Sequence, residues 1–534
     1  MIGFADLETH TFSTFYRTHR RWGTAEYGSR SQTKRMQPTL QKLFPESLRV
    51  KHVGNLNRPV SALVTDSRRV IPGAVFFAFP GLRTNGTYFV EEAIDRGAVA
   101  VVSESDRLYP QTTTIQVDNI REVVARVARR FYGTPDEKLD LIGITGTNGK
   151  TTVSYLVQSL LNNSSKTQKT GLIGTVQYDL GERTIPSFKT TPEAIDTFAL
   201  LKQMADGGCQ RGVMEVSSHG IDQQRIFGAE FDVAVFLNLT RDHLDYHKDF
   251  ETYFQVKRRL FTGEVGKIPK VSVVNLDDEF GRRLATDLPK ETKVITFSLN
   301  NPDADIYLGE YKCDHEGSMS TLHWNGESKS LSTPLAGPYN LSNILAALAV
   351  CQGVGLDLNS VFPALKDFAG VPGRMERIDG AEGFDVFVDY AHTDDALDKA
   401  LGMLREITRG RLIVTFGCGG NRDRDKRKSM MEAAQKHADF VCATSDNPRG
   451  ESVEAILSDM REGVTKPDEV EYISDRRSAI NRALDMAEPG DTVLIAGKGH
   501  ETMQEFKDRI VPFDDRVVAR DLLEMKQLVK GRKK

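Results

Sequence analysis

No apolar run in this sequence approaches the roughly 20 residues a helix needs to cross a bilayer, so nothing in it points to membrane insertion. Cysteine is scarce, five in 534 residues, and Cys209, Cys313, Cys351, Cys418 and Cys442 are scattered, with no pair spaced C-x-x-C. That argues against a zinc site and suits free thiols in a reducing cytoplasm. A large excess of one charge is also missing. The net charge is −4, which argues against a role in coating nucleic acid but leaves room for local Arg and Lys clusters around a small anion. What remains is an ordinary globular composition, 39% hydrophobic and 27% charged, in a chain too long for one core and expected to form three domains.

The first 35 residues carry six Lys or Arg against three acids, are rich in Thr and Ser, and lack sustained periodicity. Asp6, Glu8 and Glu26 weaken a transit-peptide reading. Residues 1–35 are therefore expected to be a disordered extension or to lie upstream of a functional start at Met36, where a helix begins.

The most informative stretch runs from Leu141 to Val153. An apolar strand enters a turn made of Gly146, Thr147, Asn148 and Gly149. Lys150, Thr151 and Thr152 then open a segment with helical apolar spacing over 153–161. Such a turn brings backbone N–H groups up to phosphate oxygens at a helix N-terminus. Lys150 can bridge β- and γ-phosphates, and the Thr151 hydroxyl suits Mg²⁺. The strict Walker spacing would need glycine at 144, where Ile144 stands; Gly143 precedes it instead.

Around this loop the chain divides into 36–138, 139–372 and 373–534. The first part reads as a small α/β domain: a strand over 60–65, the step Asp66-Ser67-Arg68, a buried run over 74–78, a helix over 88–96 and a strand over 98–102. By itself the Asp-Ser-Arg step is equally a plain turn. The middle part alternates strands and helices, as in a mostly parallel sheet covered on both faces. Glu215 and His243 are expected at neighbouring strand ends, close to Thr151, as a divalent-cation site. In a helix over 253–261, Lys257 follows Tyr253 by four residues and precedes Phe261 by four, so it points to the packed side. Burying an unpaired ammonium is costly, and snorkelling is the alternative. Asn340 and Asn343 enter an Ala-rich helix either as caps or as ligands of a base. In the last part four strands end in polar loops, beginning at Tyr390, Gly417, Asp446 and Gly497. They form a second binding face whose mixed Arg and carboxylate groups suit a zwitterion.

Together these motifs resemble the Mur ligases of peptidoglycan precursor synthesis: Gly143 with Gly146 to Thr152, Glu215 to His219, Asp242 to His247, Gly373 with Arg374, and Asp389 to His392. Asp66 to Arg68, Thr190 to Pro192, Gly417 to Gly420 and Gly497 to Glu501 are similar to the branch that adds the third peptide residue. The likeness runs from about Met36 to the C-terminus. It implies an α/β fold with a UDP-substrate-binding domain, a central P-loop ATPase domain with a parallel sheet, and a Rossmann-like amino-acid-binding domain. The implied activity is ATP-dependent ligation of meso-2,6-diaminopimelate to UDP-N-acetylmuramoyl-L-alanyl-D-glutamate, with Mg²⁺ as cofactor. A cytoplasmic monomer without nucleic-acid or membrane partners is expected. Lysine-adding relatives depart from the Asp446 to Arg449 signature, and a non-catalytic relative would show decay at Lys150, Glu215, His243 or Lys257.

The resemblance also implies roles for single residues. Gly146, Thr147, Asn148, Gly149, Lys150, Thr151, Thr152, Asn343 and Arg374 would bind ATP. Ser67, Thr190, Thr191, Ser217, Gln223 and Arg225 would bind the UDP-muramoyl dipeptide. Arg422, Asp446, Asn447, Arg449, Gly497 and Glu501 would hold diaminopimelate. Thr151, Glu215 and His243 would serve Mg²⁺, joined by Lys257 as a carbamate (N6-carboxylysine), which would account for its burial. Departures are Asp394 in place of the usual Pro, Asn85 before Gly86 in place of Asp, and Gly450 to Val453 after the signature.

Overall fold

The structure, a computed structural model, describes residues 37–81, 85–165, 167–314, 317–368 and 370–531. The expected extension and the start at Met36 lie outside these residues. Among the described residues no helix is long and apolar enough to cross a membrane.

Residues 51–116 form a five-stranded sheet, parallel except for the edge strand Lys51–Val53, which runs antiparallel to Thr113–Gln116. Ala74–Phe77 and Ala100–Ser103 are buried throughout, as parallel strands covered on both faces are. The strand expected over 60–65 is shorter, Ala62–Val64. The expected helix over 88–96 opens as a tighter turn at Gly86–Phe89 before Val90–Asp95.

The middle of the chain builds an eleven-stranded sheet. Its P-loop strand, Asp140–Thr145, lies between Cys209–Glu215 and Val233–Phe236, parallel to both. This corrects the expectation that the strands leading to Glu215 and His243 are neighbours, because the P-loop strand separates them. The sheet is also less uniformly parallel than the sequence suggests. Ile306–Asp314, Gly317–Trp324 and Glu327–Thr333 add an antiparallel meander at one edge, and Gln177–Asp179 and Thr184–Pro186 extend the other.

The P-loop helix is Lys150–Ser164, three residues earlier than its apolar spacing indicates. Gly149 at φ +89° makes the left-handed turn that lets it start there. The helix expected over 253–261 is Phe250–Arg258, capped by Asp249, which accepts from Thr252 N. Asn340 and Asn343 are not caps: both are buried inside the helix Pro338–Gly353, which begins with Pro338 after Gly337.

One core joins the first sheet to a face of the central sheet, running from Phe77 through Val127 to Phe198 and Phe254. Another fills the opposite face, between the P-loop helix and Pro338–Gly353. At the junction of the first two sheets Arg129 pairs with Asp136, Glu137 and Glu230. The third sheet has six strands, with a core on each face. Asp385–Asp389, Thr492–Ala496, Leu412–Cys418 and Phe440–Ser445 are adjacent and parallel there, so their four polar loops emerge along one edge.

Candidate active site

Glu215 ends its strand fully buried, in register with Ile144 of the P-loop strand. Thr151 Oγ1 donates to its Oε2 at 3.0 Å, Thr175 Oγ1 to the same oxygen at 2.8 Å, and Thr175 N–H to Oε1 at 2.8 Å. Gly174 makes room for this carboxylate: a Cβ there would stand 2.4 Å from Oε1. Lys150 Nζ donates to the carbonyls of Gly146 and Thr147, and burial pulls its pKa below the ordinary lysine value. The loop is tied to the next strand end by Asn238, which exchanges hydrogen bonds with the Asn148 backbone and accepts Thr147 N–H. Thr152 follows in the first helical turn.

Among the described residues no three His, Cys, Asp or Glu side chains form a metal-holding cluster. A buried carboxylate beside threonine hydroxyls under a phosphate loop nevertheless fits Mg²⁺, which takes one or two carboxylates and completes its shell with water and phosphate oxygens.

Lys257 is 1% exposed. Its Nζ donates to Gly146 O at 3.0 Å and Thr145 Oγ1 at 3.4 Å, and lies 4.6 Å from the Tyr253 ring centre. Burial, reinforced by the nearby Lys150 charge, holds its pKa well below 10.5. The packed-side reading is therefore right and the snorkelling alternative is not. His243, at φ +53°, faces His219 at 4.8 Å and Tyr253 at 6.4 Å between ring centres. His247 stacks on Tyr253 and bonds Ser218 Oγ.

Thr190 Oγ1 lies 3.0 Å from Thr175 Oγ1. The Thr191 hydroxyl is occupied on both sides, donating to Glu215 O and accepting Ser217 N–H. Arg225 donates to Thr191 O and Gln223 Oε1 and pairs ionically with Glu193, so Gln223 and Arg225 reach the same corner as Ser217. Ser67 stays apart from this group. It is buried in the first sheet unit, where its hydroxyl donates to Glu92 at 2.7 Å.

Asn343 closes over the P-loop: a Cβ on Gly149 would lie 2.5 Å from its Oδ1. Arg374 comes from the third part of the chain, yet its Nη2 donates to Thr151 Oγ1 at 3.5 Å. Its guanidinium covers the Tyr390 ring at 4.5 Å, and its Nε is buried without a hydrogen-bond partner. The backbones of Gly373 and Gly499 touch so closely that a Cβ on Gly373 would stand 2.1 Å from the Gly499 carbonyl carbon.

Along the second face, Asn447 Nδ2 donates to Glu501 Oε2 at 2.8 Å, and Asp446 Oδ1 accepts Asn447 N–H. Gly497 leaves room for Asp446 Oδ2. Arg449 sits at φ +52°, a conformation that costs a non-glycine residue about 1 kcal/mol. It is held by N–H to Glu505 O, by Nε to Glu505 Oε2 at 3.0 Å, and by Nη1 to Gly420 O at 3.1 Å. Arg422 is exposed on the loop after Leu412–Cys418.

Three family models match in order: "Mur ligase family, catalytic domain" over 59–132, "Mur ligase middle domain" over 144–351, and "Mur ligase, glutamate ligase domain" over 373–499. The UDP-N-acetylmuramoyl-L-alanyl-D-glutamate–2,6-diaminopimelate ligase of Solibacter usitatus is 44% identical over 468 residues, 87% of this chain and 93% of that one. The chain belongs to the Mur ligase family. A solved structure of a ligase of the same description, 34% identical, covers 92% of this chain with all of its own, at a TM-score of 0.66. The Thermotoga maritima MurF ligase in complex with ADP shares the fold at a TM-score of 0.57 and 20% identity. As a Mur ligase the chain is an ATP-dependent ligase of the α/β class.

Several residues that shape this Mur ligase site were not singled out from sequence. Thr175 holds Glu215, Asn238 holds the loop, and Lys498 is buried among the second-face side chains. Thr175 is the second residue of a Gly-Thr step just after the strand Lys169–Ile173, which carries no motif of its own. Asn238 and Lys498 stand directly after apolar strands, the signal that led to their neighbours.

Proposed function

We propose that the chain joins meso-2,6-diaminopimelate to the D-glutamate of UDP-N-acetylmuramoyl-L-alanyl-D-glutamate, with ATP as the energy source. The observation that carries this reading is the join between the two faces. Arg374 reaches Thr151 of the phosphate loop, while the Gly373 backbone touches the loop that bears Glu501. Carboxylate activation and amine attack can thus share one site. The γ-carboxylate of D-glutamate attacks the γ-phosphorus, giving an acyl phosphate and ADP. The diaminopimelate amine then attacks the acyl carbon, loses a proton, and phosphate leaves.

Lys150 and the loop N–H groups would neutralise and position the phosphates, as in other phosphoryl transfers. Mg²⁺, held by Thr151, Glu215 and His243 with Lys257 as its carbamate, would supply charge neutralisation at the phosphates. Asn343 and the open Nε of Arg374 suit the base and sugar of ATP. Thr190, Ser217, Gln223 and Arg225 suit the dipeptide, with Thr191 shaping their corner, and Ser67 the uridine diphosphate end. Asp446, Asn447, Gly497, Glu501 and Arg422 would hold one amino-acid end of diaminopimelate, and Arg449 the distal carboxylate that lysine lacks. Segments 36–138, 139–372 and 373–534 would be the corresponding three domains. The five unpaired cysteines support a reducing, cytoplasmic setting, and the chain is read as a monomer.

The test is phosphate release with ATP, Mg²⁺ and the UDP-linked dipeptide, comparing meso-diaminopimelate with L-lysine. Release favouring diaminopimelate supports the reading. Release with lysine instead overturns the amino-acid assignment, and release with neither overturns the ligase.

A further inference from the structure

Lys498 is fully buried, and its ammonium makes three hydrogen bonds: to Asn447 Oδ1 at 3.0 Å, Glu501 Oε2 at 2.9 Å and Met503 O at 2.8 Å. An ammonium has three donors and no acceptor, so this set satisfies it completely. Its effect on the neighbours is directional. Asn447 must turn its oxygen to Lys498, where it also accepts Glu505 N–H at 3.0 Å, and its amide nitrogen therefore faces Glu501. Glu501 in turn has Oε2 bound twice, by Lys498 and Asn447, which leaves Oε1 on the accessible side of a carboxylate about one-third exposed. The chain of contacts continues from Asn447 to Glu505, whose carboxylate holds Arg449 Nε. One buried charge thus fixes the orientation of an amide and one carboxylate, and the amide oxygen in turn anchors the backbone of Glu505, the residue whose side chain holds the guanidinium at the far end of the face.

The geometry points to Lys498 as the positioning residue that sets amino-acid selectivity: it aims Glu501 and Asn447 at one end of the incoming zwitterion and, through Glu505, Arg449 at the other. This rests on the proposed ligase reading and adds a residue to it that touches no substrate atom. A lysine is suited to the task because three acceptors converge from different directions on a point charge. The planar guanidinium of Arg, with donors in a fixed fork, does not match that arrangement.

The test is steady-state kinetics of the full chain with Lys498→Met and Lys498→Arg, measuring KM separately for diaminopimelate, ATP and the UDP-linked dipeptide, and the diaminopimelate-to-lysine preference. Lys498→Met is expected to raise KM for diaminopimelate about ten- to hundredfold, the range for a hydrogen bond to a charged group, and to erode the preference over lysine. KM for ATP is expected to stay within about twofold. Lys498→Arg should fall between wild type and Lys498→Met. If Lys498→Met does not fold, Lys498→Arg carries the test alone, and a wild-type KM for diaminopimelate in it overturns the proposal. Equal changes in all three KM values would also overturn it, since they mark a purely structural role. If the wild type itself releases no phosphate in response to diaminopimelate, the ligase reading has failed and the positioning role falls with it. If the wild type responds and both variants match it, only the positioning role has failed.

Discussion

Thr151 Oγ1 and Glu215 Oε2 lie 3.0 Å apart, joining the first turn of the P-loop helix to the end of a strand 64 residues later. The hydroxyl that suits Mg²⁺ and the carboxylate that suits Mg²⁺ therefore share one corner. Glu215→Gln keeps the volume but puts an NH₂ group either at Oε2, which accepts two hydroxyls, or at Oε1, which accepts an N–H. Phosphate release is expected to fall about hundredfold or more, with the Mg²⁺ dependence moved to higher concentration. A variant with wild-type Mg²⁺ dependence would remove Glu215 from the cation site.

Lys257 is expected to react with CO₂, because a neutral amine is the nucleophile and burial keeps this one neutral far below 10.5. Intact-mass analysis in bicarbonate should show the gain of one CO₂ in wild type and not in Lys257→Ala. The variant should lose ligation at saturating substrates and regain part of it with short carboxylic acids. Full activity without them would refute the carbamate role.

The same lysine predicts a pH dependence of stability when unmodified. Between its lowered folded value and 10.5 the unfolded chain binds a proton that the folded chain does not, so stability rises with pH across that window. Urea unfolding of CO₂-free protein between about pH 7 and 9 should show this slope, and Lys257→Met should flatten it. A slope that Lys257→Met leaves unchanged would mean that the folded state keeps the proton on Lys257.

Arg449→Ala should lower the preference for diaminopimelate over lysine about ten- to hundredfold while leaving KM for ATP in place. Competition between the two amino acids in one reaction gives the ratio directly. An unchanged ratio would place selectivity elsewhere on the face.

Arg476 and Asp515 form an ion pair with both side chains fully buried, and the guanidinium also donates to Ser445 O and Ala496 O. Removing one partner of such a pair costs about 3–5 kcal/mol. Asp515→Ala should lower the unfolding free energy by about that amount. A loss below about 1 kcal/mol would mean that water reaches the site.

Much of this site is legible in the sequence because strand ends announce themselves: an apolar run followed by Gly, Asp, Asn or Arg placed the P-loop, Glu215 and all four loops of the third sheet. Lys257 was legible from helical spacing, although its helix begins three residues earlier than the tyrosine suggests. Spacing does not carry partners distant in sequence. Thr175 meets Glu215 across 40 residues and Lys498 meets Asn447 across 51, and no local pattern records either meeting. The meander over 306–333 departs from the strand–helix alternation expected of the middle part for a different reason: its three strands follow one another with no helix between them.

Gly174 and Gly373 bear on drug resistance. A ligand resting against either one meets a surface the protein cannot remodel by point substitution: any side chain at 174 displaces the carboxylate of Glu215, and any at 373 pushes the backbone of Gly499 away. Escape from an inhibitor anchored there would have to arise elsewhere in the cleft, at positions where a side chain can change without displacing a buried carboxylate or a neighbouring backbone.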